Sequence, residues 1–317
     1  MIGVVSRGAA GDRREGVGNM EIVKYDGWDC IRLTNGEIEL LVTRDIGPRI
    51  IRYGFIGGPN ILGEIPSHIG GKGEKEWMNR GGHRLWIAPE ADPWSYELDN
   101  EPYASAIAIS GGVRTVQAAG PITGIEKRMD IVLDPATGGV KIEHRLANRS
   151  DRPVRCAAWC ISVVGLGGRA ILPLPEKRLP PNQILTAVQR WATWSYTDFS
   201  DPRWTFGSRF LMLRQDPSAT TPQKIGMGSD AGWIAYEREG MLFIKKYCAF
   251  ASAEYPDYGT NVQIYTNPEI LELEQLGPLT TLQPGEEILL PEEWKLQRDF
   301  APCKDEADIF ARVVPLV

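Results

Sequence analysis

The sequence is poor in cysteine, histidine and helical periodicity, and each shortage excludes something. Five cysteines stand at positions 30, 156, 160, 248 and 303 of 317 residues, an odd number with no Cys-x-x-Cys. Cys156 and Cys160 fall on one face of a single expected strand, roughly 13 Å apart at about 3.3 Å per residue. They share neither a disulfide nor a metal, and all five read as buried thiols of a reducing compartment, which points to the cytoplasm. The three histidines, His68, His83 and His144, show no metal-ligand spacing, so no metal is expected. Basic residues are not in excess: Lys+Arg is 35 against Asp+Glu 41, a formal charge of −6. A general nucleic-acid binder or an anionic-membrane binder would carry the opposite balance.

No apolar run approaches the roughly 20 residues of a membrane-spanning helix. The first twenty residues, MIGVVSRGAAGDRREGVGNM, lack the apolar stretch of a signal peptide. Residues 1–19 read as a flexible extension, with Met20 as an alternative start. GxGxxG, GK[ST], GxSxG and HExxH motifs are missing, and no repeat of fixed period occurs. Only 304–313, KDEADIFARV, carries helix signals.

What is present is punctuation and strand pattern. Glycine numbers 34, proline 23 and tryptophan 10, the last exceeding phenylalanine at 8. Strand-like runs occupy 28–33, 37–42, 48–55, 104–109, 112–118, 125–133, 139–147, 154–164, 209–214, 231–237, 241–248, 261–266, 269–276 and 286–297. Asn35-Gly36 between the first two is a strong hairpin signal, because tight two-residue turns need positive φ. Without strand–helix alternation, the expectation is an all-β protein, one domain over 20–317, with large antiparallel sheets packed face to face. Two long stretches, 59–103 and 165–208, read as irregular and hold six of the ten tryptophans. Aromatic-rich loops on a rigid scaffold suggest binding walls.

Two clusters could carry chemistry. Asn79-Arg80-Gly81-Gly82-His83-Arg84-Leu85-Trp86-Ile87-Ala88-Pro89-Glu90 offers an imidazole, two guanidinium forks, an indole and a carboxylate. Equally, its Arg and Glu could simply pair in a structural loop. In Glu269–Pro278, Glu272 and Glu274 share a strand face, where mutual repulsion raises one pKa and suits a general base; a solvated strand face is the plainer reading. His144 is expected at an exposed sheet position. Lys245 could face an anionic ligand or simply water.

Several segments, in order, resemble the galactose mutarotase (aldose 1-epimerase)-like superfamily. Asp45–Ile51 with Asn60-Ile61-Leu62 resembles its opening; Leu146–Pro153 resembles its Leu-x-Asn-x-Ser-Asp-x-Pro hairpin; Leu282–Glu286 with Glu293–Leu296 resembles its C-terminal signature. Gly81–Glu90 and Leu271–Pro278 are similar to the bacterial DUF4380 family. The likeness spans roughly 20–297. It implies a β-supersandwich that binds carbohydrate on one sheet's concave face, with no cofactor. Active relatives interconvert anomers with a histidine acid and a glutamate base. Their histidine follows the Asn148 hairpin, where this chain reads Cys156–Ser162 without one.

On this basis the chain is expected to act on a sugar or sugar derivative as an epimerase-like isomerase. His83 would be the acid and Glu274 or Glu272 the base. Arg49, Arg80 and Arg84 would hold the ring or an anionic substituent, Trp86 or Trp159 would stack beneath it, and Glu90 and Lys245 would complete the site. The alternatives are a catalytically silent carbohydrate-binding protein, or a glycan lyase or hydrolase working through Glu90 and Glu274. All versions require the His83 turn and the paired glutamates to meet in one cavity.

Overall fold

The computed structural model describes residues 20–176 and 187–317. The extension expected over 1–19, and residues 177–186 of the second long stretch, lie outside the described residues. In chain order the strands are β1 (Glu21–Tyr25), β2 (Trp28–Thr34), β3 (Ile38–Thr43), β4 (Ile50–Phe55), β5 (His83–Ala88), β6 (Ser105–Ile109), β7 (Gly112–Gln117), β8 (Ile125–Leu133), β9 (Val140–Asn148) and β10 (Val154–Val164). They continue with β11 (Arg169–Pro173), β12 (Trp191–Thr193), β13 (Trp204–Phe206), β14 (Phe210–Arg214), β15 (Gln223–Met227), β16 (Trp233–Arg238), β17 (Met241–Tyr247), β18 (Val262–Thr266), β19 (Leu271–Leu276), β20 (Thr280–Leu282) and β21 (Glu287–Gln297). A helix, Glu306–Arg312, follows, its first turn capped by the Asp305 side chain accepting from the Asp308 amide.

Two antiparallel sheets result. The first runs β1-β2-β3-β4-β5-β10-β19-β18-β15-β12, with β20 also on β10; the second runs β13-β14-β11-β16-β17-β21-β9-β8-β7-β6. The all-β sandwich expected from the sequence is the fold. Alternation explains the layering: in β9, Val140, Ile142, His144 and Leu146 are buried, while Lys141 and Glu143 are exposed. His144 therefore sits in the apolar phase and is fully buried, correcting the exposed position expected for it. One continuous core of aliphatic and aromatic side chains fills the space between the sheets, with Tyr53, Phe243 and Trp294 in mutual ring contact.

The stretch 59–103 is not wholly irregular: it contains β5, which lies at the middle of the first sheet against β10. The stretch 165–208 likewise contains β11, β12 and β13. The Asn35-Gly36 hairpin forms, but only Gly36 takes positive φ; the Asn35 side chain accepts from the Glu37 and Ile38 amides. The two segments like the superfamily's hairpin and C-terminal signature touch: Asn148 donates to Leu282 O at 2.9 Å, and the Gly285 amide donates to Asn148 O at 2.8 Å. All five cysteines are free, four of them buried and Cys248 half-buried.

Candidate functional site

Chain entry into β5 depends on two glycines. Gly81 and Gly82 take φ +85° and +68°, and a Cβ on them would lie 2.2 Å from Gly63 O and 2.4 Å from Ile50 O. Only glycine passes there, and it delivers β5 to the centre of the sheet. From that point alternation sends odd residues inward and even residues outward.

The inward set is His83, Leu85 and Ile87. His83 is fully buried between the sheets and faces away from the glutamate pair, so the expected meeting of this imidazole with the glutamates in one cavity does not occur; of the same turn, Arg84 and Trp86 reach the side of Glu272 instead. His144 Nδ1 donates to Leu290 O at 3.0 Å, leaving its Nε2 to accept. His83 Nε2 donates to that atom at 2.7 Å, and His83 Nδ1 accepts from Ser162 Oγ at 2.9 Å. Lys245, also fully buried, gives its protons to Cys160 O, Ser162 Oγ and Leu273 O, at 3.1, 3.1 and 3.2 Å. Its charge is balanced by Glu292 Oε1 at 3.0 Å, an ion pair without hydrogen-bond alignment, while Trp294 donates to Glu292 Oε2. Burial pushes the His83 pKa well down, helped by His144 and Lys245; burial also lowers that of His144. Both imidazoles are thus neutral.

His83, His144 and Glu292 bring ligand-type atoms within 4.8 Å of one another. Yet Lys245 already occupies the electrostatic place of a cation beside the one carboxylate. Two nitrogens bound at about 2.0–2.1 Å to one tetrahedral ion stand well over 2.7 Å apart. The set is a closed hydrogen-bonded cluster that joins the sheets. His83 and Lys245, expected in the sugar site, are therefore placed in the core.

The outward set builds a cavity of about 290 Å³ on the face of the first sheet turned away from the second. Arg84 and Trp86 come from β5, Trp159 and Ile161 from β10, Lys224 from β15, Tyr265 from β18 and Glu272 from β19. Trp77, Asn79, Glu90 and Tyr96 from the segments flanking β5, and Tyr196 from the β12–β13 connection, supply the walls. Arg84, Trp86, Glu90, Trp159 and Glu272 are thus brought together as expected lining residues. Arg49 and Arg80 are not. Both are fully buried; Arg49 holds Asp99 at 2.7 Å, and Arg80 holds Glu74 and Asn100. Desolvation brings the Arg49 pKa down to about 10.

Charge crosses the floor diagonally. Cross-strand pairing sets Lys224, Tyr265 and Glu272 in one row, and Gln263, Glu274, Ile161 and Arg84 in the next. Arg84 reaches over to Glu272 (3.2 Å), and Lys224 reaches over to Glu274 (3.0 Å). Arg84 also lies over the rings of Trp86 and Trp77, 4.6 and 5.3 Å from their centroids. Lys224 lies 5.0 and 4.7 Å from those of Trp159 and Trp194. Aromatic faces and carboxylates thus share the desolvation of both cations. Glu274 is beneath the floor, 1% exposed; its Oε2 accepts from Trp159 Nε1 at 2.8 Å and from Lys224, and its Oε1 has no partner. Burial raises its pKa to about 7, opposed by Lys224 and reinforced by Glu272. Glu90 accepts from Tyr96 at the rim.

Lys224, Tyr265 and Trp77 were not singled out from the sequence as site residues. β15, QKIGM, is short, with a glycine opposite Gln263, and has no alternating pattern to mark Lys224. Three roomier hollows, of about 510, 630 and 360 Å³, lie elsewhere, near Arg190 and Tyr255, near Glu97 and Asp99, and near Leu242 and Lys295. In the second, the carboxylates are already engaged, Glu97 by the Ile122 and Thr123 amides and Asp99 by Arg49.

Among solved structures the fold is similar to the Slr1438 protein from Synechocystis sp. PCC 6803, with TM-score 0.56, 12% identity, and 88% of this chain and all of that one covered. A galactose mutarotase-like protein from Lactobacillus casei gives 0.54 at 9% identity over 84% of this chain and all of that one. A galactose mutarotase related enzyme from Lactobacillus acidophilus gives 0.52 at 9% identity over 86% of this chain and 98% of that one. At such identities the likeness establishes the fold, a galactose mutarotase-like sandwich. No protein-family model matches the sequence, and neither does any curated protein.

Proposed function

We propose that this protein binds a neutral, monosaccharide-sized sugar or sugar derivative in the cavity formed by Arg84, Trp86, Trp159, Lys224, Tyr265 and Glu272. The observation that carries the reading is the composition of that cavity. Half-polar rings surround two cations and carboxylates whose charges nearly cancel. Such a lining offers apolar faces to C–H groups and donors and acceptors to hydroxyls, without a net charge to demand an ion. A volume of about 290 Å³ suits a small ligand. The motifs at 81–90 and 271–278 support membership of the DUF4380 family, and five free cysteines support a cytoplasmic setting.

Titration calorimetry with D-glucose, D-galactose and their uronates tests it. Saturable binding of a neutral sugar is expected, weakened about tenfold, or 1.4 kcal/mol, by Tyr265→Ala, which removes the half-buried ring between Lys224 and Glu272. Binding of none of these sugars by the native protein would sink the reading.

Glu272 at the cavity and Glu274 with its raised pKa favour a second step, epimerase-like proton transfer at the anomeric carbon. Polarimetry on freshly dissolved α-anomers is expected to show acceleration over buffer.

A further inference from the structure

We propose that Lys224 is the proton donor, and Glu272 the proton acceptor, for opening a pyranose ring bound in the cavity; this rests on the sugar-binding reading above. Anomer exchange needs a group that gives a proton to the ring oxygen and one that takes the anomeric hydroxyl proton. The histidines do not serve. His83 and His144 point into the core, and His68 is not a lining residue, its Nδ1 being engaged with Asn79 O at 2.6 Å. Arg84 lines the cavity, but a guanidinium does not release its proton in proteins. Tyr96, Tyr196 and Tyr265 all have their pKa values raised by burial, so they hold their protons tightly. Among the described lining residues, Lys224 remains as the cation able to give up a proton.

Geometry supports the same assignment. Lys224 and Glu272 flank Tyr265 in one cross-strand row, two strand spacings apart, about 10 Å between backbones. Both side chains line the same cavity, with the half-buried Tyr265 on the strand between theirs. Each is steadied from the next row. Glu274 holds Lys224 by one hydrogen bond, leaving two N–H groups for a ligand, and Arg84 with Asn79 holds Glu272 Oε1. Glu274, beneath the floor, is a positioning residue.

The step balances without an outside reagent. Glu272 takes the proton from the anomeric hydroxyl as that C–O bond becomes a carbonyl. The bond from the anomeric carbon to the ring oxygen breaks, and its electron pair takes a proton from Lys224 Nζ. Rotation about the adjoining C–C bond presents the other carbonyl face. Ring closure then returns one proton to Lys224 and the other to the new anomeric oxygen.

Polarimetry and calorimetry on Lys224→Met, Lys224→Arg and Glu272→Gln, with α-D-glucose and α-D-galactose, decide it. Lys224→Met is expected to lower kcat by about 100-fold or more, a loss exceeding whatever fall in sugar affinity calorimetry reads for the same variant. Lys224→Arg keeps the charge but cannot transfer the proton, so it should still bind sugar and remain slow. If Lys224→Met does not fold, Lys224→Arg carries the test alone. Native-like turnover by Lys224→Arg would overturn the proposal. Native protein that binds sugar without accelerating exchange would also overturn it, leaving the binding reading intact. Failure to bind any sugar would remove the binding reading itself.

Discussion

Replacing Lys245 with methionine is expected to destabilise the protein by about 3–5 kcal/mol, the usual effect of removing one partner from a buried ion pair. The change leaves Glu292 charged between the sheets, with only Trp294 to hydrogen-bond it, and leaves Cys160 O and Leu273 O without their donor. Desolvation then acts on an uncompensated carboxylate. Guanidinium unfolding measures the loss. The double change Lys245→Met with Glu292→Met should recover most of it, because a neutral pair of similar volume restores packing without stranding a charge. A Lys245→Met protein that unfolds at the native midpoint would show that the cluster does not hold the sheets together. At a temperature where the variant stays folded, its sugar affinity should match the native value, since Lys245 lies on the opposite side of the first sheet from the cavity.

Stability is also expected to fall as the pH drops from 6.5 to 5. His83 and His144 have folded-state pKa values below the ordinary 6.5. Below pH 6.5 the unfolded chain takes up protons that the folded chain refuses. Their contribution is therefore complete above pH 6.5 and is lost as the pH falls, by up to about 1.4 kcal/mol per pH unit for each imidazole. Glu274 acts in the opposite sense. Its folded pKa is raised to about 7 from 4.5, so between those values the folded state binds the extra proton and gains stability on acidification. Below pH 6.5 the two imidazoles therefore act against the one carboxyl. Glu274→Gln removes the opposing contribution and should steepen the fall. Urea midpoints at half-unit pH steps read both slopes. A flat profile in the Glu274→Gln protein would mean that the imidazole pair is not held neutral.

Much of the fold can be read in the chain because most strands have one polar and one apolar face. β8 and β9 alternate over most of their length; β8 keeps the expected bounds and β9 starts and ends one residue later than expected. β5 cannot be found that way. HRLWIA is buried on both faces, with a histidine in the core and an arginine under two indoles, so its polar residues mimic a loop. The same blurring affected the site. Arg84, Trp86, Glu90, Trp159 and Glu272 have the residue types of a sugar cavity and do line one. His83 has the right type but the wrong parity. One residue along a strand separates a cavity wall from a core ligand, and composition does not carry that phase. His144 stands two positions from Ile142 and from Leu146, so its burial was available from spacing alone. Lys224 was not, because its meaning comes from Glu274 fifty positions away.

The central strands serve two masters on alternate beats. Along β5 and β10, neighbouring residues belong to different machines: 83, 85 and 87 or 158, 160 and 162 to the adhesive interior, and 84, 86 and 88 or 157, 159 and 161 to the outer chamber. A residue-by-residue alanine scan along these strands should therefore give a two-stroke record, with melting temperature dipping at one parity and ligand affinity at the other. Variation tolerated at one position need say nothing about the next, so a lineage could retune what the chamber accepts while leaving the adhesive layer of the same strand untouched.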